Sequence, residues 1–348
     1  MIVEDSLVVR ELLGEAISRD SRLEIVAMAE SGEMALRLLH ETKPDVISMD
    51  IHLPGMDGLQ TTRRIMAERP TPIVVVAADL ETAERKASIN ALLAGALTVL
   101  EKPRNAGGAA FEEFGRRFCT QLAIMSQVSV ITQRVQNEVE HPHLGQSSLP
   151  APGRAGSYKA LGIVASTGGP GAIVQVLNAL GDECRVPILL VQHITSSFSK
   201  TFVKWLSEVC PFPVNEGKSG DVPLPGVVYV APADRHLTIR KGTLVLECSP
   251  PVCSQRPSGS VLFGSMASNY GEAAIGVLLT GMGQDGADGL LAMRNAGGHT
   301  IAEHETTAVV YGMPGAAVAL GAACESLPLP LIAPRLRQLT RIRQEGVI

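Results

Sequence analysis

Three residues far apart in the chain have the types that acyl transfer requires, and each follows an apolar run. Ser166 stands in Leu161-Gly162-Ile163-Val164-Ala165-Ser166-Thr167-Gly168-Gly169-Pro170, His193 in Leu190-Val191-Gln192-His193, and Asp285 in Leu279-Thr280-Gly281-Met282-Gly283-Gln284-Asp285-Gly286. A serine hydroxyl becomes a nucleophile when an imidazole takes its proton, and a carboxylate on the other side of the ring holds the tautomer. The small residues after Ser166 suit a sharp turn that exposes the hydroxyl and points backbone N–H groups toward it. Amides near Thr167 and Met282 are therefore candidate oxyanion donors, and the chemistry needs no metal at this site. Singly, each residue has a plainer reading: a helix cap for Ser166, a structural imidazole for His193, a turn aspartate for Asp285. Their conjunction at three strand ends favours catalysis. The chain order Ser, His, Asp differs from those of the α/β hydrolases, chymotrypsin and subtilisin, so the set would be an independent solution.

A second constellation is acidic. Glu4-Asp5 and Asp50 each follow an apolar segment, and Lys102-Pro103 follows another. Strand ends of a parallel sheet converge on one edge, where ligands of open α/β sheets bind. Carboxylates gathered there repel one another unless a hard divalent cation such as Mg²⁺ sits among them. Lys102 would then neutralise the anion of a phosphorylated Asp50, an acyl phosphate.

The elements that must position these groups can be read from alternation. Short Val- and Ile-rich runs at 23–29, 45–49, 73–77 and 98–100 predict buried parallel strands, separated by helical patterns at 32–41 and 59–68 and followed by a helix from Phe111. Val128, Ile131, Val135 and Val139 continue one apolar stripe. From 140 to 157 the text is rich in Pro, Ser and Gly, the composition of a linker. Strands then follow at 160–165, 186–192, 227–230, 237–247, 275–279 and 299–302, with helices from Gly171, at 198–209, 260–270 and 287–296, and in a final region. Arg240-Lys241-Gly242 marks a hairpin inserted in this second doubly wound unit.

Bulk composition excludes several classes. Lys plus Arg number 30 against 35 Asp plus Glu, a formal net charge of -5, and no basic run gives a nucleic-acid footprint. No apolar stretch is long enough for membrane insertion, and residues 1–5 have no signal-peptide layout. The six cysteines (119, 184, 210, 248, 253, 324) form no metal-type spacing and read as small buried or half-buried side chains in a reducing compartment, so a cytoplasmic location is expected.

The string Asp50-Ile51-His52-Leu53-Pro54-Gly55-Met56-Asp57-Gly58, with Glu4, Asp5 and Lys102, resembles the response-regulator receiver family over about residues 1–125. By that resemblance Glu4, Asp5 and Asp50 hold Mg²⁺, Asp50 accepts a phosphoryl group from a histidine kinase, and Lys102 contacts it. The Ser or Thr that the family carries after the fourth strand is replaced by Ala77-Ala78.

The second half resembles the chemotaxis-type protein-glutamate methylesterases. The matching strings are Ala165-Ser166-Thr167-Gly168-Gly169, Gln192-His193, Ala231-Pro232-Ala233-Asp234-Arg235-His236, Arg256-Pro257-Ser258, the segment from Leu279 to Gly286, and Tyr311-Gly312-Met313-Pro314. The resemblance implies hydrolysis of γ-glutamyl methyl esters on the cytoplasmic domains of chemoreceptors, and deamidation of glutamines. After Arg256-Pro257-Ser258 the family carries Val-Asp; here Gly259-Ser260 stands instead.

The expected architecture is thus α/β, with two doubly wound parallel-sheet domains. They are a flavodoxin-like receiver over 1–125 and a catalytic domain over 158–348, joined by a helical extension and linker over 126–157. One alternative is a dinucleotide site, because Gly281, Gly283 and Gly286 fit G-x-G-x-x-G with Glu303 as the ribose acid. Another is a binding domain that has lost its chemistry.

Overall fold

Helix starts are written in short polar side chains. In the computed structural model, Ser6, Ser31 and Asp57 accept hydrogen bonds from the amides of Val9 (3.4 Å), Met34 (3.3 Å) and Gln60 (2.7 Å), closing the first turns of three helices. The structure describes residues 1–77, 95–103, 108–127, 158–181 and 184–340. The chain separates into two units, Met1–Thr132 and Gln133–Ile348.

In the first unit β1 (Ile2–Val3), α1 (Leu7–Ser18), β2 (Met28–Ala29), α2 (Gly32–Thr42), β3 (Ile47–Met49), α3 (Gly58–Glu68), β4 (Ile73–Ala77), β5 (Thr98–Glu101) and α4 (Ala109–Met125) follow in order. The strands form a parallel sheet in the order β2-β1-β3-β4-β5, the flavodoxin-like arrangement. The strand expected over 23–29 shrinks to Met28–Ala29. β2 is the edge strand, and its sole neighbour β1 has two residues to pair with it. The stripe through Val128, Ile131, Val135 and Val139, nearly all of the 126–157 linker and Ala78 lie outside the described residues.

The second unit runs β6 (Ala160–Ala165), α5 (Gly169–Leu180), β7 (Ile188–Gln192), α6 (Ser196–Val209), β8 (Val214–Glu216), β9 (Val228–Val230), β10 (His236–Arg240), β11 (Thr243–Glu247), α7 (Gly259–Tyr270), β12 (Ala274–Leu278), α8 (Ala287–Asn295), β13 (His299–Glu303), α9 (Met313–Ala319), β14 (Glu325–Leu327) and α10 (Leu329–Thr340). Seven strands lie parallel in the order β14-β13-β12-β6-β7-β9-β8. β10 and β11 form the expected hairpin through Lys241-Gly242. Every residue of β6, β7 and β12 is buried, which explains their unbroken apolar text. Each buried Leu, Ile or Val there contributes roughly 1.5–3 kcal/mol. β8 and β14, each three residues long at a sheet edge, were too short to leave a periodic signal.

The cysteines require a correction. Cys119 and Cys184 are buried and Cys210 and Cys324 half-buried, but Cys248 and Cys253 are exposed. The latter two sit in the Pro- and Ser-rich segment between β11 and α7, whose backbone runs along the surface. None of the six is in a disulfide.

Candidate active site and acidic pocket

β7, β6 and β12 are neighbours at the centre of the larger sheet, and the chain turns outward in opposite directions from β6. This is a topological switch point, where a crevice opens at the carboxyl ends of the strands. Ala165 pairs with Gln192 and Val164 with Leu278, so Ser166 and His193 are the next residues beyond two paired ends. Their positions are fixed by backbone hydrogen bonds from His193 N to the Ala165 carbonyl and from Ser166 N to the Thr280 carbonyl, both 3.0 Å. Ser166 itself has no left-handed backbone, unlike the strained nucleophile elbow of α/β hydrolases. The left-handed residue is Gly168 (φ 77°), where a Cβ would meet Val309 at 2.7 Å. Gly281 packs against Ser166 itself, since a Cβ there would lie 2.8 Å from Ser166 Cβ.

His193 Nε2 lies 2.9 Å from Asp285 Oδ2, and Nδ1 on the other side of the ring is buried with no hydrogen-bond partner. With Nε2–H donating to the carboxylate, Nδ1 carries the free lone pair and is the nitrogen able to accept a proton. Asp285 is 2% exposed yet well satisfied. Besides His193, its oxygens accept from Ser258 Oγ (2.6 Å), Gly259 N (2.6 Å) and Ser260 N (3.2 Å). Burial alone would raise its pKa, but the hydrogen bonds from His193, Ser258 and Gly259 prevail and hold it below the usual carboxylate value. The Gly259-Ser260 departure thus leaves the cradle intact, because backbone amides make those contacts. Gly259 also answers Val164, whose Cγ1 would be 2.3 Å from a Cβ at that position.

A layer of polar side chains stands behind these residues. His236 is fully buried; its Nδ1 accepts from Ser258 N (3.1 Å) and its Nε2 donates to the Pro250 carbonyl (3.1 Å), so it props the serine that holds Asp285. Gln192 donates through one Nε2 to the carbonyls of Ser166 and His193, both at 2.9 Å, tying the two residues together. Both residues lay in recognised strings, but nothing in a string says where a side chain points. The amides of Thr167 and Met282 have no hydrogen-bond partner among the described residues. Glu303 is fully buried, with Oε2 accepting from Thr280 N at 2.8 Å. Full burial leaves its oxygens inaccessible to a ribose, which argues against the dinucleotide alternative.

In the first unit, the carboxylate oxygens of Glu4, Asp5 and Asp50 lie within 4.8 Å of one another. Lys102 Nζ approaches Glu4 Oε2 at 2.6 Å and Asp50 Oδ1 at 3.1 Å. Burial, followed by repulsion from Asp50, raises the pKa of Glu4; burial likewise raises that of Asp50 against the pull of Lys102. An all-oxygen, charge-rich donor set of this kind fits a hard divalent cation. Ala77, 1% exposed, brings no hydroxyl to this edge.

Fold and site together define a two-unit α/β protein in which a receiver-type acidic pocket precedes a hydrolase-type Ser, His and Asp constellation. The chain belongs to the CheB methylesterase family: the family's model matches residues 161–336, and the response regulator receiver domain model matches residues 1–108. A protein-glutamate methylesterase/protein-glutamine glutaminase of Paramagnetospirillum magneticum is 53% identical over 97% of this chain and 96% of its own. Another, from Syntrophus aciditrophicus, is 43% identical over 97% of each. The crystal structure of the Thermotoga maritima CheB methylesterase catalytic domain matches with 34% identity and a TM-score of 0.50, covering 52% of this chain and 98% of that one.

Proposed function

We propose that this chain hydrolyses γ-methyl esters of glutamate side chains on the cytoplasmic domains of chemoreceptors, releasing methanol, and deamidates selected glutamines by the same route. The observation that carries the mechanism is the 2.9 Å pairing of His193 Nε2 with Asp285 while Nδ1 stays unpartnered, beside the strand end that bears Ser166. Ser166 Oγ attacks the ester carbon as its proton passes to His193 Nδ1. The C–O bond to the methoxy group then breaks, and the leaving oxygen takes that proton as methanol. Water, deprotonated by His193, releases the glutamate carboxylate and regenerates Ser166. An amide substrate releases ammonia at the first step. The free amides of Thr167 and Met282 are the oxyanion donors, each contributing about 3 kcal/mol in such sites.

Residues 1–125 act as the receiver, 126–157 as extension and linker, and 158–348 as the catalytic domain. Asp50 accepts a phosphoryl group from a histidine kinase, and Lys102 exchanges its present carboxylate partners for the new anion. Glu4, Asp5 and Asp50 are the residues that would hold Mg²⁺, which when bound screens their mutual charge and that of the phosphoryl group. Unphosphorylated receiver restrains the catalytic domain, and phosphorylation relieves it. Among the described residues no helix is long and apolar enough to cross a membrane.

The test is methanol release from methylated receptor by the full chain, residues 158–348 and Ser166→Ala. Release by the full chain and not by Ser166→Ala is expected, with the shortened chain faster. Release that survives in Ser166→Ala would sink the mechanism.

A further inference from the structure

Glu303 takes no part in the steps above, yet it stands directly behind the nucleophile. It ends β13, is 0% exposed, and accepts from the amide of Thr280 at 2.8 Å. Its other oxygen, Oε1, is buried without a well-formed hydrogen bond. Thr280 in turn is fastened to the nucleophile turn twice. Its carbonyl accepts from Ser166 N at 3.0 Å, and its hydroxyl donates to the Thr167 carbonyl at 2.9 Å. The same hydroxyl accepts from Val310 N at 2.8 Å. Whatever grips the Thr280 amide therefore sets the residue to which both Ser166 and Thr167 are tied.

We propose that Glu303 is a positioning residue for Ser166, acting through Thr280 as a neutral carboxylic acid, and that its ionisation lowers the hydrolase rate as pH rises. The inference rests on the reading of Ser166 as nucleophile.

The neutral form follows from what surrounds the group. β12 and α9 carry no titratable residue. On β14, Glu325 is occupied by Arg335 of α10 and by His299 at the opposite end of β13. On α8, Asp288 is exposed and Arg294 donates to the carbonyls of Gly321 and Ala323. Arg337 of α10 donates to the Ala179 carbonyl, and His304 faces Thr306. Asp285 and His193 engage each other. Among the described residues of these neighbouring elements no cation is left to balance a charge on Glu303. Burial accordingly pushes its pKa up to about 7, against the Thr280 amide and the Thr307 hydroxyl, which favour the ionised form. Once ionised, Glu303 places an uncompensated negative charge behind the turn where the substrate oxygen must itself become negative, and the two oppose each other in a low-dielectric interior.

The experiment compares methanol release by the full-length parent, Glu303→Gln and Glu303→Leu from pH 5.5 to 8.5, with Ser166→Ala as the blank. Gln keeps the shape and an acceptor for Thr280 but cannot ionise. With a pKa of about 7 and an active neutral form, the ratio of kcat for Glu303→Gln to parent rises about tenfold between pH 6 and 8, while the KM ratio stays flat. Glu303→Leu, lacking the acceptor, lowers kcat without that trend. Trp205, the one tryptophan, lies in the catalytic unit and reports its unfolding in the full chain. The sign is fixed by linkage. A carboxyl raised from 4.5 to about 7 on folding gives stability that is complete below the lower value and lost as pH climbs to the upper one. The parent's midpoint falls across that window, and Glu303→Gln removes the fall. A kcat ratio that does not change with pH, or a melting profile identical in the two proteins, overturns the proposal. Absence of Ser166-dependent methanol release from the parent instead overturns the nucleophile reading, and this inference falls with it.

Discussion

Asp50 and Asp285 both lie beyond the carboxyl end of a parallel strand, the first directly after β3 and the second seven residues past β12, and their surroundings push them in opposite directions. Both follow central parallel strands and both are nearly inaccessible, at 5% and 2% exposure. Asp285 meets four donors, three of them from the start of α7, and its pKa is lowered. Asp50 receives one backbone donor, from Ile51, shares Lys102 with Glu4 and lies beside Asp5; its pKa is raised. A buried carboxylate saturated with donors is a fixed electrostatic support. One left short of donors among like charges is poised to take up a cation or to be chemically modified. The same fold class supplies both because the strand end sets only where the carboxylate sits, and the loops set what it meets.

That contrast can be broken most severely at Asp50. Asp50→Asn should abolish phosphate incorporation from a small-molecule phosphodonor, measured with labelled phosphate, while the first unit unfolds no more easily than in the parent. Removing the charge ends its repulsion with Glu4 and Asp5 and frees Lys102. Destabilisation by this change would mean that Asp50 is not the strained member of the pair. Next in size, Asp285→Asn should lower kcat by about 10⁴ with small change in KM, because an amide cannot hold His193 in the required tautomer. A loss below tenfold would show that the cradle does not serve His193.

Smaller effects sharpen the account of how Asp285 is held. Ser258→Ala removes one donor from a buried carboxylate and should cost about 1–3 kcal/mol in unfolding free energy, read by Trp205 fluorescence, with kcat lowered about tenfold. Gly259→Val brings a side chain onto Val164 and should cost roughly 1–3 kcal/mol through overpacking, with much of the loss recovered in the Val164→Ala, Gly259→Val double variant. Additive effects of the two changes would argue that residues 164 and 259 do not share one packing site.

Much of this was open to inspection in the residues. Short apolar runs such as Leu161 to Ala165 and Ile188 to Val191 read as strands buried on both faces, and a side chain placed just after such a run emerges at the carboxyl edge of a parallel sheet. The order of Glu4, Asp5, Asp50 and Lys102 carried the acidic pocket for the same reason. The edges were less legible: β2 is short because β1 offers it two partners, a property of the neighbour and not of residues 23–29.

Local sequence determined the elements and which residues stand at their ends, since hydrophobic period, caps and turn residues act over a few positions. Tertiary structure alone decided that β12 returns to the far side of β6 and that Gly259 tucks under Val164. It also decided that His236, Gln192 and Glu303 stand behind Ser166, His193 and Asp285. Those contacts join positions from 22 to more than 100 residues apart, and a hydrogen bond between distant strand ends exists only once the whole sheet has set their register.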